Sequence, residues 1–142
     1  MKSPSGDLSL RVFRILTHYR NNMNLSVIIV SHNACASLRQ ALNSLVDACK
    51  NIDYELFIVD NASTDDSLEM LKNNFPQANL IINDSDAGIA RSNNQAISRA
   101  KGEYILLVSP DTICGKDSIE KMVEFMSEHT DAGGFGVRML ST

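Results

Sequence analysis

Residues 25–30, Leu-Ser-Val-Ile-Ile-Val, form an apolar run rich in β-branched side chains. That is the pattern of a strand buried within a parallel sheet. After a polar stretch at 31–33, Leu38, Ala41, Leu42, Leu45, Val46 and Cys49 recur at helical spacing. The alternation then repeats. A second strand is expected over 54–59. The next helix carries Leu68, Leu71 and Phe75 in its stripe, opens with a capping box of Asp66 and Glu69, and stops at Pro76. A third strand is expected over 79–82, followed by a helix over 89–100 that Gly102 closes. The fourth and most apolar strand covers 104–108. Asp117 and Glu120 would cap a further helix with Ile119, Met122, Val123 and Met126 on one face, and a fifth strand would begin within 133–140.

Strand and helix alternating in this way predict an α/β fold with a mostly parallel sheet. Right-handed crossovers put all strand exits on one edge, so the turns at 31–33, 60–65, 84–88 and 109–112 would line one crevice. In open α/β sheets that crevice is where ligands bind. Two strands deliver an aspartate to it: Ile58-Val59-Asp60 and Val108-Ser109-Pro110-Asp111. Two carboxylates at strand exits suit a phosphorylated, metal-associated ligand.

Composition narrows the reading. With 142 residues, 44% hydrophobic and 21% charged, the chain is one ordinary globular domain. A net charge of −4 argues against a nucleic-acid partner, whose binding face would be strongly basic. The three cysteines, Cys35, Cys49 and Cys114, include no C-x-x-C pair. They read as reduced, small core residues rather than a zinc site or a disulfide framework. No apolar run approaches the roughly 20 residues of a membrane span. No G-x-G-x-x-G follows the first strand and no G-x-x-x-x-G-K-[ST] occurs, which argues against dehydrogenases and P-loop NTPases. A sugar nucleotidyltransferase would need a glycine-rich phosphate loop after the first strand, and that is absent too.

Residues 1–22 differ from the rest. Leu8, Val12, Ile15, Leu16 and Tyr19 could share one helical face flanked by Arg11, Arg14 and Arg20, a pattern suited to a membrane surface. The plainer expectation is an appended, poorly ordered extension, with Met23 as the natural start of a domain over 23–142.

Four segments together carry a resemblance. They are Ser26-Val-Ile-Ile-Val-Ser31-His32-Asn33, Ile58-Val-Asp60-Asn61-Ala-Ser63-Thr64-Asp65, Asp86-Ala-Gly88-Ile-Ala-Arg91-Ser-Asn93-Asn94, and Gly102-Glu-Tyr-Ile-Leu-Leu-Val-Ser109-Pro110-Asp111. In order and spacing they resemble the family 2 glycosyltransferases, inverting enzymes with the GT-A fold. The resemblance implies a Rossmann-like, three-layer αβα domain, truncated at the C-terminus. It also implies an activity: sugar transfer from a nucleotide diphospho-sugar (UDP-, dTDP- or GDP-) to a glycan or lipid-linked acceptor. That belongs to cell-surface polysaccharide synthesis, in the cytoplasm at the inner face of the membrane.

The resemblance assigns roles. Asp60 would bind the nucleobase or ribose, with Asn61 beside it. Ser31, His32 and Asn33 would shape the base pocket. Arg91 and Asn94 lie in the segment that approaches the nucleotide. Ser109, Pro110 and Asp111 occupy the D-x-D position, where Asp111 would hold Mn²⁺ or Mg²⁺ on the donor diphosphate. Ser109 departs from that pattern, because a hydroxyl is a weaker metal partner than a carboxylate. The general base is expected beyond Thr142, so a non-catalytic nucleotide-sugar-binding module is the alternative. A sheet cut short would also expose apolar surface and favour self-association.

Simpler roles stand beside these. Asp60 and Asp111 could serve turns, and Arg91 could be a solvated helix residue. Asp65 and Asp66 are expected to cap a helix start. Asn is unfavourable inside a helix without a task, so one of Asn93 and Asn94 should face the site and the other should bond elsewhere. Gly88 should meet a need for positive φ.

Overall fold

The computed structural model describes residues 24–137. The expected extension over 1–22, the start at Met23 and the end of the proposed fifth strand lie outside the described residues. Strands β1 (Leu25–Ser31), β2 (Tyr54–Asn61), β3 (Asn79–Asn83) and β4 (Tyr104–Val108) alternate with helices α1 (Cys35–Ala48), α2 (Ser67–Asn74), α3 (Ile89–Ile97) and α4 (Ser118–Glu128). The strands form one sheet in the order β3-β2-β1-β4, with every pairing parallel. All four strand exits therefore share one edge.

The sheet has two apolar faces, because side chains alternate along each strand. One face presents Leu25, Val27, Ile29, Leu56 and Ile58 to α1, α2 and α4, where Leu38, Leu42, Leu45, Met70, Leu71, Ile119 and Val123 complete the main core. The other presents Ile28, Phe57, Val59 and Ile81 to α3 through Ala96. The result is the expected αβα layering. α3 packs chiefly on β1 and β2, and Ile105 and Leu107 of β4 stay 42% and 52% exposed. These side chains supply the apolar surface anticipated from the sequence.

Some local expectations are corrected. α3 ends at Ile97, and Gly102 does not close it. Gly102 instead lies against β1, where an added Cβ would stand 2.6 Å from the Leu25 carbonyl carbon and 2.7 Å from Ser26 Oγ. Its N–H donates to Ser26 Oγ at 2.8 Å, and that hydroxyl donates to Glu55 Oε1 at 2.6 Å. Backbone proximity, not helix termination, requires the glycine. Asp66 makes no side-chain bond to α2; the neighbouring Asp65 accepts the Ser67 N–H at 3.0 Å instead. Asp117 likewise makes no cap bond to α4 and pairs with Lys121 one turn on. Residues 133–137 form no strand.

Candidate functional site

The site grows from the ends of β1 and β2. Parallel register sets Ser31 beside Asp60, and both are almost fully buried, at 1% and 0% exposure. Asp60 Oδ1 accepts the Ser63 N–H at 2.9 Å. Asp60 Oδ2 and Ser31 Oγ have no hydrogen-bond partner among the described residues. Buried polar atoms are nearly always paired; Ser67 Oγ, at the start of α2, is the third buried side-chain atom without a partner among the described residues.

The two turns beyond these strands are clamped together. Asn33 has φ 48° and Ala62 has φ 58°. Both sit in the left-handed region, which costs a non-glycine residue about 1–2 kcal/mol. Bonds across the turns hold them there. Asn33 Oδ1 accepts the Thr64 N–H at 2.7 Å and the Asp65 N–H at 3.3 Å, while the Asn33 N–H donates to Ser63 Oγ at 2.9 Å. The Cys35 N–H, at the unsatisfied start of α1, donates to Asp65 Oδ2 at 3.1 Å. Bonds to Ser67, and then to the Cys35 N–H, hold the Asp65 carboxyl below its usual range. Asp65 is thus a capping residue, as expected, serving both α1 and α2.

His32 is exposed, with Nδ1 2.6 Å from the Asn61 carbonyl oxygen. A carbonyl only accepts, so Nδ1 carries the proton and Nε2 accepts from Asn33 Nδ2 at 3.2 Å. The His32 ring is therefore held in place through both nitrogens.

Asn61 departs from the role the resemblance implies. It is buried, and its side chain turns inward. Oδ1 accepts from Ser92 Oγ and from Asn83 Nδ2, both at 2.8 Å. Nδ2 donates to Asp86 Oδ1 at 3.0 Å. Both polar atoms of the amide are thus engaged within the protein, which makes Asn61 part of the framework. Asp86 Oδ1 also accepts the Gly88 N–H at 2.9 Å, where φ of 75° meets the expectation for Gly88 and turns the chain into α3.

On the other side of β1, a cleft of about 200 Å³ is lined by Val30, Ile89, Asn93, Leu107, Val108, Ser109 and Pro110. Ser109 and Pro110 are thus brought to a concave surface. Ile89 and Asn93 stand one turn apart on the same side of α3. Asn93 therefore faces the cleft, and Asn94, the residue nominated from sequence, is exposed outside its lining. Arg91 is also exposed outside that lining. It shares its side of α3 with Gln95, which bonds Asn83 towards β3.

Asp111 follows at the β4 exit, exposed, with Oδ1 accepting from Ser109 Oγ at 2.6 Å. No group of three or more His, Cys, Asp or Glu side chains gathers into a metal cage among the described residues. The available donors are oxygens: one exposed carboxylate and the hydroxyl that steadies it. That set fits Mg²⁺ or Mn²⁺, which take one or two carboxylates and complete their shells with phosphate and water.

Sequence reasoning missed the polar ladder of Asn61, Asn83, Asp86, Ser92 and Gln95. Its one visible signal was the density of Asn, Ser and Gln inside a short helix.

With this geometry in place, similarity to known proteins decides the family. Residues 26–141 match the family model described as Glycosyl transferase family 2. The chain belongs to that family. Among relatives of this family 2 chain is a poly(ribitol-phosphate) beta-glucosyltransferase of Bacillus spizizenii. It is 34% identical over 114 residues, covering 75% of this chain and 18% of the relative. Staphylococcus aureus TarS, a poly(ribitol-phosphate) beta-N-acetylglucosaminyltransferase, is 28% identical over 111 residues, covering 75% of this chain and 19% of TarS. Its 1–349 fragment, solved with UDP-GlcNAc, superposes with a TM-score of 0.67 at 27% identity, over 82% of this chain and 37% of that one. The mannosyltransferase PcManGT of Pyrobaculum calidifontis, solved with GDP-Man and Mn²⁺, shares the fold with a TM-score of 0.65 at 18% identity, over 83% of this chain and 39% of its own. This family 2 chain spans less than half the length of the relatives it matches. No helix among its described residues is long and apolar enough to cross a membrane.

Proposed function

We propose that this chain is the donor-binding part of an inverting glycosyltransferase that builds a cell-surface polysaccharide, and that its donor is a UDP-sugar. The observation that carries this reading is the pair of unsatisfied oxygens, Asp60 Oδ2 and Ser31 Oγ, at adjacent strand exits. Asp60 has one free acceptor oxygen, because Ser63 holds the other. One acceptor beside one hydroxyl matches the pyrimidine imide edge of uracil or thymine, which presents a single N–H next to carbonyl oxygens. Guanine presents two donors on its edge and would need both carboxylate oxygens. The 27% identity to a TarS fragment solved with UDP-GlcNAc supports uracil.

Binding at Asp60 would run the nucleotide along the strand exits towards β4. Asp111, steadied by Ser109, would hold a divalent cation on the diphosphate, and Mn²⁺ in PcManGT is in keeping with that chemistry. When bound, such a cation neutralises the charge that builds on the departing nucleoside diphosphate. Ser109, Pro110 and Asn93 would border the sugar-phosphate part, and the exposed Arg91 is free to reach the nucleotide. His32 and Asn33 shape the base pocket. An acceptor hydroxyl must lose a proton as it attacks. His32 is poorly placed to take it, since Nε2 already accepts from Asn33. The reaction would take place in the cytoplasm, at the membrane face that presents a lipid-linked or glycan acceptor.

Calorimetric titration with UDP, dTDP and GDP, with and without Mn²⁺, tests the reading on the wild type, Asp60→Ala and Asp111→Ala. The expected result is Mn²⁺-enhanced UDP binding that Asp60→Ala abolishes, while Asp111→Ala removes only the Mn²⁺ enhancement. Failure of folded wild-type protein to bind any of the three would overturn the reading.

A further inference from the structure

We infer that Asn61 is a positioning residue: its side-chain amide sets the crevice by holding the 84–88 turn and the start of α3 against the end of β2. The inference rests on the donor-binding reading above for its functional consequence. Its structural basis is independent.

Asn61 follows Asp60 directly, and the pleat points the two side chains to opposite faces of the sheet. Asp60 points to the α1 side and Asn61 to the α3 side. There the Asn61 amide meets two kinds of demand at once. Its oxygen accepts from Ser92 Oγ and Asn83 Nδ2. Its nitrogen donates to the Asp86 carboxylate. A carboxylate at position 61 could accept the first two bonds but would oppose Asp86. An apolar side chain would leave Ser92, itself fully buried, without its partner.

The geometry reaches three walls of the crevice. Through Asp86, which also holds the Gly88 N–H, Asn61 fixes the turn that launches α3. Through Ser92 it fixes the start of α3, the helix that carries Ile89 and Asn93 into the cleft beside Ser109 and Pro110. Through its backbone carbonyl it fixes the His32 ring. The base side and the diphosphate side of the crevice are therefore tied to one residue that touches neither. A half-satisfied polar network is worse than none, so changing one member should loosen the whole.

The test is an exchange. Asn61→Asp, Asp86→Asn and the double variant are compared with wild type by thermal melting, by amide hydrogen exchange at Gly88 and Ser92, and by UDP affinity. Asn61→Asp sets two carboxylates face to face and should accelerate both exchange rates and weaken UDP binding by about tenfold or more. Asp86→Asn keeps an acceptor oxygen at position 86 and should stay within about threefold of wild type. In the double variant the amide at position 86 can donate to the carboxylate at position 61 only by giving up the Gly88 N–H, because the one Asp86 oxygen serves both bonds. UDP affinity and exchange at Ser92 should then return to within about threefold of wild type, while exchange at Gly88 stays fast. If Asn61→Asp fails to fold, recovery of a cooperative melt in the double variant carries the same information. Wild-type behaviour of Asn61→Asp, or a double variant as impaired as Asn61→Asp, would overturn the inference. If wild-type protein binds no UDP, the donor reading fails, while the exchange rates at Gly88 and Ser92 still decide whether Asn61 holds the turn and the helix.

Discussion

Ser31 and Asp60 are register partners at the ends of β1 and β2, and each buries a side-chain oxygen that no described residue satisfies. Folding gains nothing from that arrangement. An unpaired buried polar atom costs about 1–3 kcal/mol, and the donor-binding reading proposed above supplies the missing partner.

Asp60→Asn separates the two roles. The amide oxygen keeps the Ser63 bond, while the amide nitrogen replaces the free acceptor with a donor. The melting temperature should hold or rise, because a buried charge is removed. UDP affinity should fall by at least about tenfold, since two donors would then face each other. Melting and calorimetry on the same preparation check both halves. Unchanged affinity would show that Asp60 Oδ2 does not meet the base.

Gly102 and Gly88 should respond differently to alanine. At Gly102 the new methyl would press on the Leu25 carbonyl carbon and Ser26 Oγ. Unfolding in urea should show a loss of about 1–3 kcal/mol from overpacking alone. At Gly88 nothing lies within 4 Å of an added Cβ, and φ is +75°. The cost there is the left-handed backbone only, about 1–2 kcal/mol. Ser26→Gly removes only the Ser26 Oγ contact and leaves the nearer backbone of Leu25 and Ser26 in place, so it should rescue neither Gly102→Ala nor Gly88→Ala.

Burial pushes the Cys49 thiol from 9.0 up to about 12, with Cys114 beside it adding to the rise. Burial raises Cys114 too. The folded thiol therefore stays protonated where the unfolded one ionises, and unfolding releases a proton above pH 9. The stabilisation from Cys49 is complete below pH 9 and declines as pH climbs towards 12. In reducing buffer, the urea midpoint of the wild type should fall from about pH 8.5 to about pH 10.5, and that of Cys49→Ala should fall less steeply. Parallel slopes would mean that other groups govern the alkaline loss.

Much of this was legible in the one-dimensional pattern. The continuous apolar runs at 25–30 and 54–59 and the helical stripes between them specify buried parallel strands and their crossovers, since burial follows directly from period and polarity. The placement of Asp60 and Asp111 at strand exits follows from the same periods. The family motifs in order pointed to the nucleotide-sugar chemistry.

Tertiary structure decided what depends on the far side of a bond. Whether Asn61 meets a ligand or the protein turns on Ser92 and Asp86, which are distant in sequence and adjacent only because α3 packs across β1 and β2. Asn93 rather than Asn94 enters the cleft because Ser92 and Ala96 face the sheet and so set the rotation of α3. Gly102 reads as a helix stop in sequence, yet β1 lies too close to admit a side chain there. Chain periodicity determines which faces are buried. Only the docking of one element on another determines which polar atoms are satisfied, and among the described residues that leaves Asp60 Oδ2, Ser31 Oγ and Ser67 Oγ without a partner.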